Sequence, residues 1–370
     1  MTVDESYMDM ALELAKRGMG AVNPNPLVGA VIVKGEKVIG KGWHERFGGL
    51  HAERNALADC KESTSTEGAT IYVTLEPCCH YGKTPPCTEA ILASGIRRVV
   101  VGSSDPNPLV AGKGIRILQE AGLTVETGVL KKECDALNAV FFHYIKTKRP
   151  YVVMKYAMTL DGKIATATGA SKWITGEDAR ENVQKDRNRY MGIMVGLGTV
   201  RADDPRLTCR IPGGRDPIRI ICDTGLCTPP ESNVVTTARE TRTILATACA
   251  DEAKHAPYRE AGCEILVVPK KEGHIDLDEL MRMLGEQGID SILLEGGGTL
   301  NFSALKQGIV QRVQAYIAPK LFGGAEAKSP VEGSGAALPS DGWQLSDVSV
   351  RRIGADLLVE GDVKYSCLPE

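Results

Sequence analysis

The sequence predicts a two-domain protein of the α/β class. The prediction depends on chain length, on alternating strand and helix patterns, and on one proline. The chain has 370 residues, and a typical domain has roughly 100–200. Pro150 follows a helical stretch and precedes the apolar strand pattern YVVMKYAM, and a proline biases the residue before it away from helix. We therefore expect one domain over residues 1–147 and a second over residues 148–370.

The first domain is expected to begin with a helix and a hairpin. Met8, Leu12 and Ala15 recur at helical spacing. Apolar residues on both sides of KGEK in LVGAVIVKGEKVIGKGW indicate a hairpin. The next segments alternate in pattern: helix HAERNALADCK, strand ATIYVTL, helix TEAILASG, strand RRVVVGS, helix GIRILQEAG, strand LTVETGV and a long helix over residues 131–147.

The second domain continues the alternation. Its strand patterns are GIMVG, IRIICD, TILAT, EILVVP, SILLEGG and VQAYIAP, and its helical patterns cover residues 177–189, 277–285 and 300–308. The closing stretch VSVRRIGADLLVEGDV is typical of two antiparallel strands at a sheet edge.

Charge and composition exclude several functional classes. The formal net charge of −3 gives no bulk attraction to nucleic acid or to an anionic membrane. The N-terminus lacks a secretory pattern, and no apolar run approaches the ~20 residues of a membrane helix. We therefore expect a cytoplasmic protein, in which clustered cysteines more often bind metal or catalyse than form disulfides.

A cluster of candidate metal ligands stands in the first domain. The stretch EPCCHYGKTPPC contains Cys78 and Cys87, and His51 precedes it in HAERNAL. One nitrogen and two sulfurs suit Zn²⁺ and leave the fourth tetrahedral position for water. In the zinc deaminase signature, His-x-Glu followed by Pro-Cys and a second Cys, the glutamate is an acid/base and not a ligand. Glu53 occupies that position.

The spacing of the two cysteines departs from the usual signature. Eight residues separate Cys78 from Cys87, whereas the usual spacing is two. The intervening glycine and prolines suit a loop that leaves and returns. A structural zinc site is one alternative and would need a fourth ligand, for which Cys79 or His80 is available. A nucleic-acid-editing deaminase is another, but it should show a basic face and short cysteine spacing.

Motifs in both halves resemble one known family. NPNPLVGAVIV, HAERNAL, TLEPCCHYGKTPPC and DPNPLVAGKGI are similar to the deaminase domain of the bifunctional riboflavin-biosynthesis family. MKYAMTLDGKIAT, SKWIT, VGLGTVRADDPRLTCR, LLEGGG and APKLFGG resemble its reductase half, in the same order. The resemblance covers almost the whole chain and departs at Cys79, where the family usually carries serine. It implies a cytidine-deaminase-like three-layer domain followed by a dihydrofolate-reductase-like domain.

The resemblance also implies two reactions. The first is zinc-dependent hydrolytic deamination of 2,5-diamino-6-(ribosylamino)pyrimidinone 5′-phosphate. The second is NADPH-dependent reduction of the ribosyl group of 5-amino-6-(5-phosphoribosylamino)uracil to ribityl. The expected partners are small pyrimidine ribosyl phosphates, and a homo-oligomer is expected. The implied contacts in the first domain are Asn25, His44 and Lys83, and the alternative for Lys83 is a solvated loop lysine.

Two glycine-rich turns, in GIMVGLGTVRADD and SILLEGGGTLNFSAL, mark the second domain. Backbone amides at a helix start can bind phosphate, but neither turn matches G-x-G-x-x-G, and ligand-free tight turns explain them equally well. The resemblance implies that NADPH is bound by Ala157, Trp173, Thr199, Asp203, Thr224, Gly297, Gly298, Thr299, Leu300, Asn301, Phe302 and Ser303. It implies substrate contacts by Ser171, Arg187, Leu207, Arg210 and Glu295. The alternatives are a surface ion pair for Arg187 and a core position for Trp173.

Overall fold

The chain folds into two compact units, Met1–Lys148 and Arg149–Glu370. The computed structural model describes residues 1–61, 65–82, 84–108 and 110–365. Among these residues, no helix is long and apolar enough to cross a lipid bilayer.

The first unit is built on a five-stranded mixed sheet of order β2-β1-β3-β4-β5. β1 is antiparallel to both of its neighbours, whereas β3, β4 and β5 are parallel. The strands are β1 Gly29–Lys34, β2 Lys37–Trp43, β3 Thr70–Leu75, β4 Arg98–Ser103 and β5 Thr124–Thr127. The helices are α1 Val3–Ala15, α2 Ala52–Asp59, α3 Cys87–Ala93, α4 Lys113–Glu120, α5 Lys131–Leu137 and α6 Ala139–Thr147, with a 3-10 turn at Lys16–Gly18.

Helices cover both faces of this sheet. Successive residues of a strand point to opposite faces, so Val31 and Val33 join the core that includes α1. Ala30 and Ile32 join the core that includes α2, α3 and α4. The predicted three-layer α/β arrangement is therefore confirmed.

The prediction of one continuous helix over residues 131–147 is wrong, because this segment forms two helices that are separated at Asn138. The Asn138 side chain accepts a hydrogen bond from Leu27 N (2.8 Å) and donates one to Leu27 O (2.9 Å). Its backbone, at φ −103° and ψ 18°, leaves the α-helical conformation. Pairing with a distant backbone segment, which no local pattern reveals, separates α5 from α6.

Glycines on β2 fix the position of α2, whose first turn carries the candidate catalytic residues. A Cβ atom at Gly42 would lie 2.3 Å from Ala56 N and 2.4 Å from Ala52 O. A Cβ at Gly40 would lie 2.3 Å from Ala56 O. Helix α2 therefore lies directly on the strand backbone, an approach that only glycine allows.

We expect Gly42→Ala to destabilise the first unit, because the added methyl group meets helix backbone rather than a flexible side chain. Overpacking of this kind typically costs about 1–3 kcal/mol. Thermal unfolding monitored by circular dichroism measures the effect. Lys41→Ala is the matched control, since Lys41 is exposed and adjacent on the same strand. An unfolding curve for Gly42→Ala that matches the control would contradict this packing account.

The second unit contains a nine-stranded sheet of order β10-β9-β8-β7-β13-β6-β14-β16-β15. Strands from β10 to β14 in this order are parallel, and β16 and β15 are antiparallel additions at one edge. The strands of this sheet are β6 Tyr151–Thr159, β7 Gly192–Gly196, β8 Ile218–Cys222, β9 Thr243–Thr247, β10 Glu264–Val267, β13 Ser291–Leu294, β14 Arg312–Ala318, β15 Gln344–Ile353 and β16 Asp356–Lys364. Two short strands, β11 Lys270–Lys271 and β12 His274–Ile275, pair with each other in a separate two-stranded sheet. The closing antiparallel pair is confirmed.

The helices of this unit differ in part from the prediction. They are α7 Glu177–Arg189, α8 Leu197–Asp203, α9 Asn233–Thr236, α10 Glu252–Ala261, α11 Leu277–Glu286 and α12 Gly298–Lys306, with a 3-10 turn at Pro339–Asp341. α12 begins two residues before the predicted start, because Gly298, the last glycine of LLEGGG, is already helical and Gly297 is its N-cap. α10 was not predicted, and Pro257 inside it weakens its helical pattern.

Candidate active sites

Three side chains of the first unit converge into a candidate metal centre. His51 is the residue before α2, Cys87 is the first residue of α3, and Cys78 follows β3. His51 Nδ1 lies 3.4 Å from Cys78 Sγ and 3.4 Å from Cys87 Sγ. Among the described residues, these three form the one cluster suited to hold a metal ion.

The donor set fits zinc. Zn–S and Zn–N bonds of about 2.3 and 2.0–2.1 Å at a tetrahedral angle place sulfur about 3.5 Å from nitrogen, close to the spacing observed. A hydrogen bond from the Cys87 thiol lowers the pKa of Cys78 against the opposing effect of burial, with a further contribution from His51. The Cys87 backbone N–H also donates to Cys78 Sγ at 3.3 Å. Zinc binds thiolates, so Cys78 is suited as a ligand.

Neither Cys79 nor His80 joins this cluster in the part of the chain that the structure describes. A structural zinc site normally uses four protein ligands, whereas a catalytic site keeps one position open. The arrangement therefore favours a catalytic centre.

Glu53 lies beside the three candidate ligands on the first turn of α2. Its side chain is buried, with 3% of the residue exposed. Burial, reinforced by the charge of Cys78, raises the pKa of Glu53 to about 7. A carboxyl group in this environment takes up and releases protons readily near neutral pH.

A cavity of about 260 Å³ opens in front of the candidate metal centre. His51, Glu53 and Cys78 line it, together with Asn25 and His44. His44 Nδ1 lies 2.9 Å from the Leu50 carbonyl oxygen, and its Nε2 lies 3.1 Å from Asn25 Nδ2. Since a carbonyl only accepts, Nδ1 carries the proton and Nε2 accepts from the Asn25 amide. The predicted Lys83 lies outside the described residues.

Sequence reasoning missed several residues around this cavity. Glu76, Asp105 and Asn107 also line it, as does His80, which the sequence suggested only as a fourth ligand of a structural zinc site. The Glu76 carboxylate accepts hydrogen bonds from Gly112 N and Gly114 N, both at 3.0 Å, and thereby holds the start of α4 against the cavity wall. Burial raises the pKa of Asp105 to about 6. The motif DPNPLVAGKGI contains Asp105 and Asn107, so the signal was present in the sequence.

A second cavity, of about 610 Å³, lies in the second unit at the carboxyl ends of β8, β7 and β13. Ligands of open parallel sheets commonly bind at this edge. Of the predicted residues, those lining the cavity are Thr199, Asp203, Thr224, Gly297, Gly298, Thr299, Leu300, Ser303, Ser171 and Glu295.

The remaining predicted residues of the second unit do not line this cavity. They are Ala157, Trp173, Asn301, Phe302, Arg187, Leu207 and Arg210. Trp173 is 61% exposed, with the Arg180 guanidinium 4.6 Å from its ring centroid, so the core alternative for Trp173 is wrong. Leu207 is buried in the hydrophobic core, and Phe302 packs edge-on against Trp343.

Arg187 and Glu295 form a buried, bidentate ion pair. Arg187 Nε and Nη2 donate to the two Glu295 carboxylate oxygens at 2.8 and 3.0 Å. Only 12% of the Arg187 side chain is exposed, so the surface alternative is wrong. Burial acts to raise the pKa of Glu295, but Arg187 and Lys155 outweigh it and lower the pKa to about 2. Lys155, with its Nζ 3.7 Å from Glu295 Oε2, was not predicted.

These two cavities indicate a two-part enzyme, with a candidate zinc centre in one unit and a cleft at the carboxyl ends of parallel strands in the other. The family model described as the cytidine and deoxycytidylate deaminase zinc-binding region matches residues 1–103. The RibD C-terminal domain matches residues 150–359. The chain belongs to the RibD family of riboflavin-biosynthesis proteins, and its two activities are a deaminase and a reductase.

Relatives and solved structures of known identity match nearly the full chain. A riboflavin biosynthesis protein RibD from Actinobacillus pleuropneumoniae is 55% identical over 96% of this chain and 94% of the relative. The RibD of Escherichia coli K12 is 40% identical, covering 96% and 98%. The crystal structure of a diaminohydroxyphosphoribosylaminopyrimidine deaminase/5-amino-6-(5-phosphoribosylamino)uracil reductase from Thermotoga maritima has a TM-score of 0.86 and 38% identity, covering 98% and 99%. These matches confirm the predicted family, fold class and bifunctional activity.

Proposed function

We propose that the first unit deaminates 2,5-diamino-6-(ribosylamino)pyrimidinone 5′-phosphate. We propose that the second unit, residues 148–370, then reduces the ribosyl group of 5-amino-6-(5-phosphoribosylamino)uracil to ribityl with NADPH. The observation that carries the first assignment is the convergence of one imidazole and two thiols on a cavity lined by Glu53.

In the deaminase site, His51, Cys78 and Cys87 are the proposed zinc ligands. The bound ion would supply a water molecule whose pKa is lowered toward neutrality. Glu53 is the proposed acid/base. Its carboxylate accepts the proton of the attacking water and returns it to the departing ammonia. Its burial keeps bulk water away from this transfer.

Asn25, His44 and Lys83 are the proposed substrate contacts in this site. The hydrogen bond between Asn25 and His44 Nε2 fixes both side chains, so they present a rigid polar wall to a pyrimidine edge. Lys83 is proposed to contact the phosphate as a point charge.

Two buried acceptor atoms support the proposal that the cleft of the second unit binds NADPH. Asp223 Oδ1 and Asn301 Oδ1 are buried and without a partner among the described residues. Asp223 lines the cleft, and Asn301 lies in α12, whose start at Gly298 also faces it. Bound NADPH would supply the hydride. The proposed cofactor and substrate residues are those of the family resemblance. Two arginines, Arg187 and Arg210, are among the proposed substrate contacts. Arg210 is the better candidate to bind the substrate phosphate because it is exposed, whereas the guanidinium of Arg187 already donates to the Glu295 carboxylate.

One assay with two measurements tests both proposals. The pyrimidine phosphate is supplied to purified protein, and ammonia release is followed with and without a zinc chelator. NADPH oxidation is then followed at 340 nm after the first product forms. We expect chelation to abolish ammonia release and to leave NADPH oxidation of pre-deaminated substrate intact. Ammonia release that persists after complete zinc removal would contradict the first proposal.

We also propose that the chain is a cytoplasmic homo-oligomer. None of the ten described cysteines forms a disulfide, which fits a reducing compartment. β15 lies at the sheet edge with Val348 and Val350 exposed, and unpaired edges of this kind readily pair with another chain. Light scattering of the purified protein measures the oligomeric state.

A further inference from the structure

The proposed NADPH site has two distinct ends, and the assignment of a residue to one of them rests on the proposed reductase function. Along the cleft, the carboxyl ends of parallel strands lie in the order β8, β7, β13, β6. The proposed substrate contact Glu295 directly follows β13, and Thr224 follows β8, two strands away. Because the nicotinamide must lie beside the substrate, the adenosine half of an extended dinucleotide lies toward β8.

The turn after β8 is rigidly held. Asp223 Oδ2 accepts hydrogen bonds from Cys227 N (2.6 Å), Thr228 N (2.6 Å) and Thr228 Oγ1 (2.7 Å). Ile275 N donates to Thr224 Oγ1 at 3.2 Å, which leaves the Thr224 hydroxyl proton for a ligand. An acidic residue after such a strand can bind the ribose 2′-hydroxyl of NADH. Here Oδ2 of that carboxylate is committed to holding the turn, and only Oδ1, which is buried and without a partner among the described residues, is left for a ligand.

Two of the cationic or titratable basic groups of the cleft, Arg201 and His274, lie at the end of the turn after β8, since His274 precedes Ile275, which bonds Thr224. In the described part of the chain, Arg201, His274 and Lys328 line the cleft. The Lys328 carbonyl accepts from Ile164 N, in the segment after β6, at the end away from Thr224. Arg201 Nη2 instead donates to the Cys227 carbonyl at 3.1 Å, beside the turn after β8.

Helix α8 directs Arg201 toward this turn. Asp203 Oδ1 on the same helix accepts from Ser171 Oγ at 3.1 Å. Two residues span about 200° of rotation in an α-helix, so Arg201 projects away from the side that Asp203 occupies. The Arg201 residue is exposed, and one bond to a carbonyl leaves other guanidinium donors for a ligand.

We propose that Arg201 binds the 2′-phosphate of NADPH and thereby makes this chain prefer NADPH to NADH. The planar guanidinium suits phosphate oxygens, and its attraction to a doubly charged phosphate is absent for NADH, which carries a hydroxyl there.

Fluorescence titration of the zinc-loaded full chain with NADPH and with NADH tests this inference. The titrations are made at pH 8, where an imidazole contributes little charge. For Arg201→Gln we expect the Kd for NADPH to rise about tenfold, the effect of losing one charge-assisted contact. The Kd for NADH should stay within about twofold. Arg201→Lys keeps the positive charge but lacks the paired donors of the planar guanidinium, so it should give an intermediate Kd for NADPH.

Arg206→Gln is the matched control, because Arg206 is an exposed arginine that does not line the cleft. Unchanged NADH binding by Arg201→Gln shows that the cleft is still folded. Equal weakening for both dinucleotides, or full retention of the NADPH preference, would overturn the role of Arg201 and leave the reductase proposal standing. A wild-type protein that binds neither dinucleotide would instead overturn the proposed reductase function, and this inference with it.

Discussion

Glu53→Gln is expected to abolish deamination while leaving the zinc site intact. The amide keeps the shape of the carboxyl group but neither accepts nor returns a proton, and general acid–base catalysis typically contributes about 10²–10⁴-fold. We therefore expect kcat for ammonia release to fall by at least that factor. Zinc content, measured by plasma mass spectrometry, should stay at one ion per chain, because Glu53 is not among the candidate ligands.

Glu45→Gln is the matched control for this substitution. Glu45 is exposed and adjacent to His44, so its replacement makes the same carboxyl-to-amide change near the same cavity without touching the proposed proton transfer. It should deaminate at the wild-type rate. Ammonia release by Glu53→Gln at a rate close to that of the control would rule out the acid/base role of Glu53.

Cys87→Ser is expected to lose the metal and, with it, all deaminase activity. Removing one of three protein ligands leaves two, too few for a stable zinc site. Zinc content should fall well below one ion per chain. NADPH oxidation of pre-deaminated substrate should persist, because the cleft of the second unit contains none of these ligands.

Cys79→Ser provides the comparison for this loss. Burial raises the pKa of the Cys79 thiol, and the residue lies outside the three-ligand cluster. The variant should therefore retain both zinc and activity. If Cys79→Ser lost zinc and Cys87→Ser kept it, the assignment of the second thiolate would be wrong.

The sequence predicted those parts of the fold that local patterns determine. The β1–β2 hairpin and α1 follow from alternation and helical spacing within a few residues. The break at Asn138 could not be predicted, because it depends on hydrogen bonds to Leu27, 111 residues away in the chain. The close approach of α2 to Gly42 could not be predicted either, because a glycine in a strand pattern does not reveal which backbone segment will pack against it.

The residues of the candidate sites were likewise predicted where a local sequence pattern identifies them and missed where distant contacts define their role. His51, Glu53, Cys78 and Cys87 were identified because imidazole, carboxylate and thiol groups in that order are typical of a zinc deaminase. Glu76 was missed as a structural residue because its role requires the distant amides of α4. Lys155 was missed because a lysine within an apolar strand gains its significance only from Glu295, which another strand brings beside it. The cofactor and substrate residues of the second unit were predicted only from the family resemblance. Neither glycine-rich turn is by itself a specific signal for nucleotide binding.

X-ray absorption spectroscopy at the zinc edge tests the central claim of this account most directly. Purified protein should contain one zinc ion per chain, bound by two sulfurs at about 2.3 Å and by two nitrogen or oxygen atoms at about 2.0–2.1 Å. One of the lighter atoms is His51 nitrogen and the other is water. Protein that contains no zinc, or a spectrum that shows three or four sulfur ligands, would contradict the account.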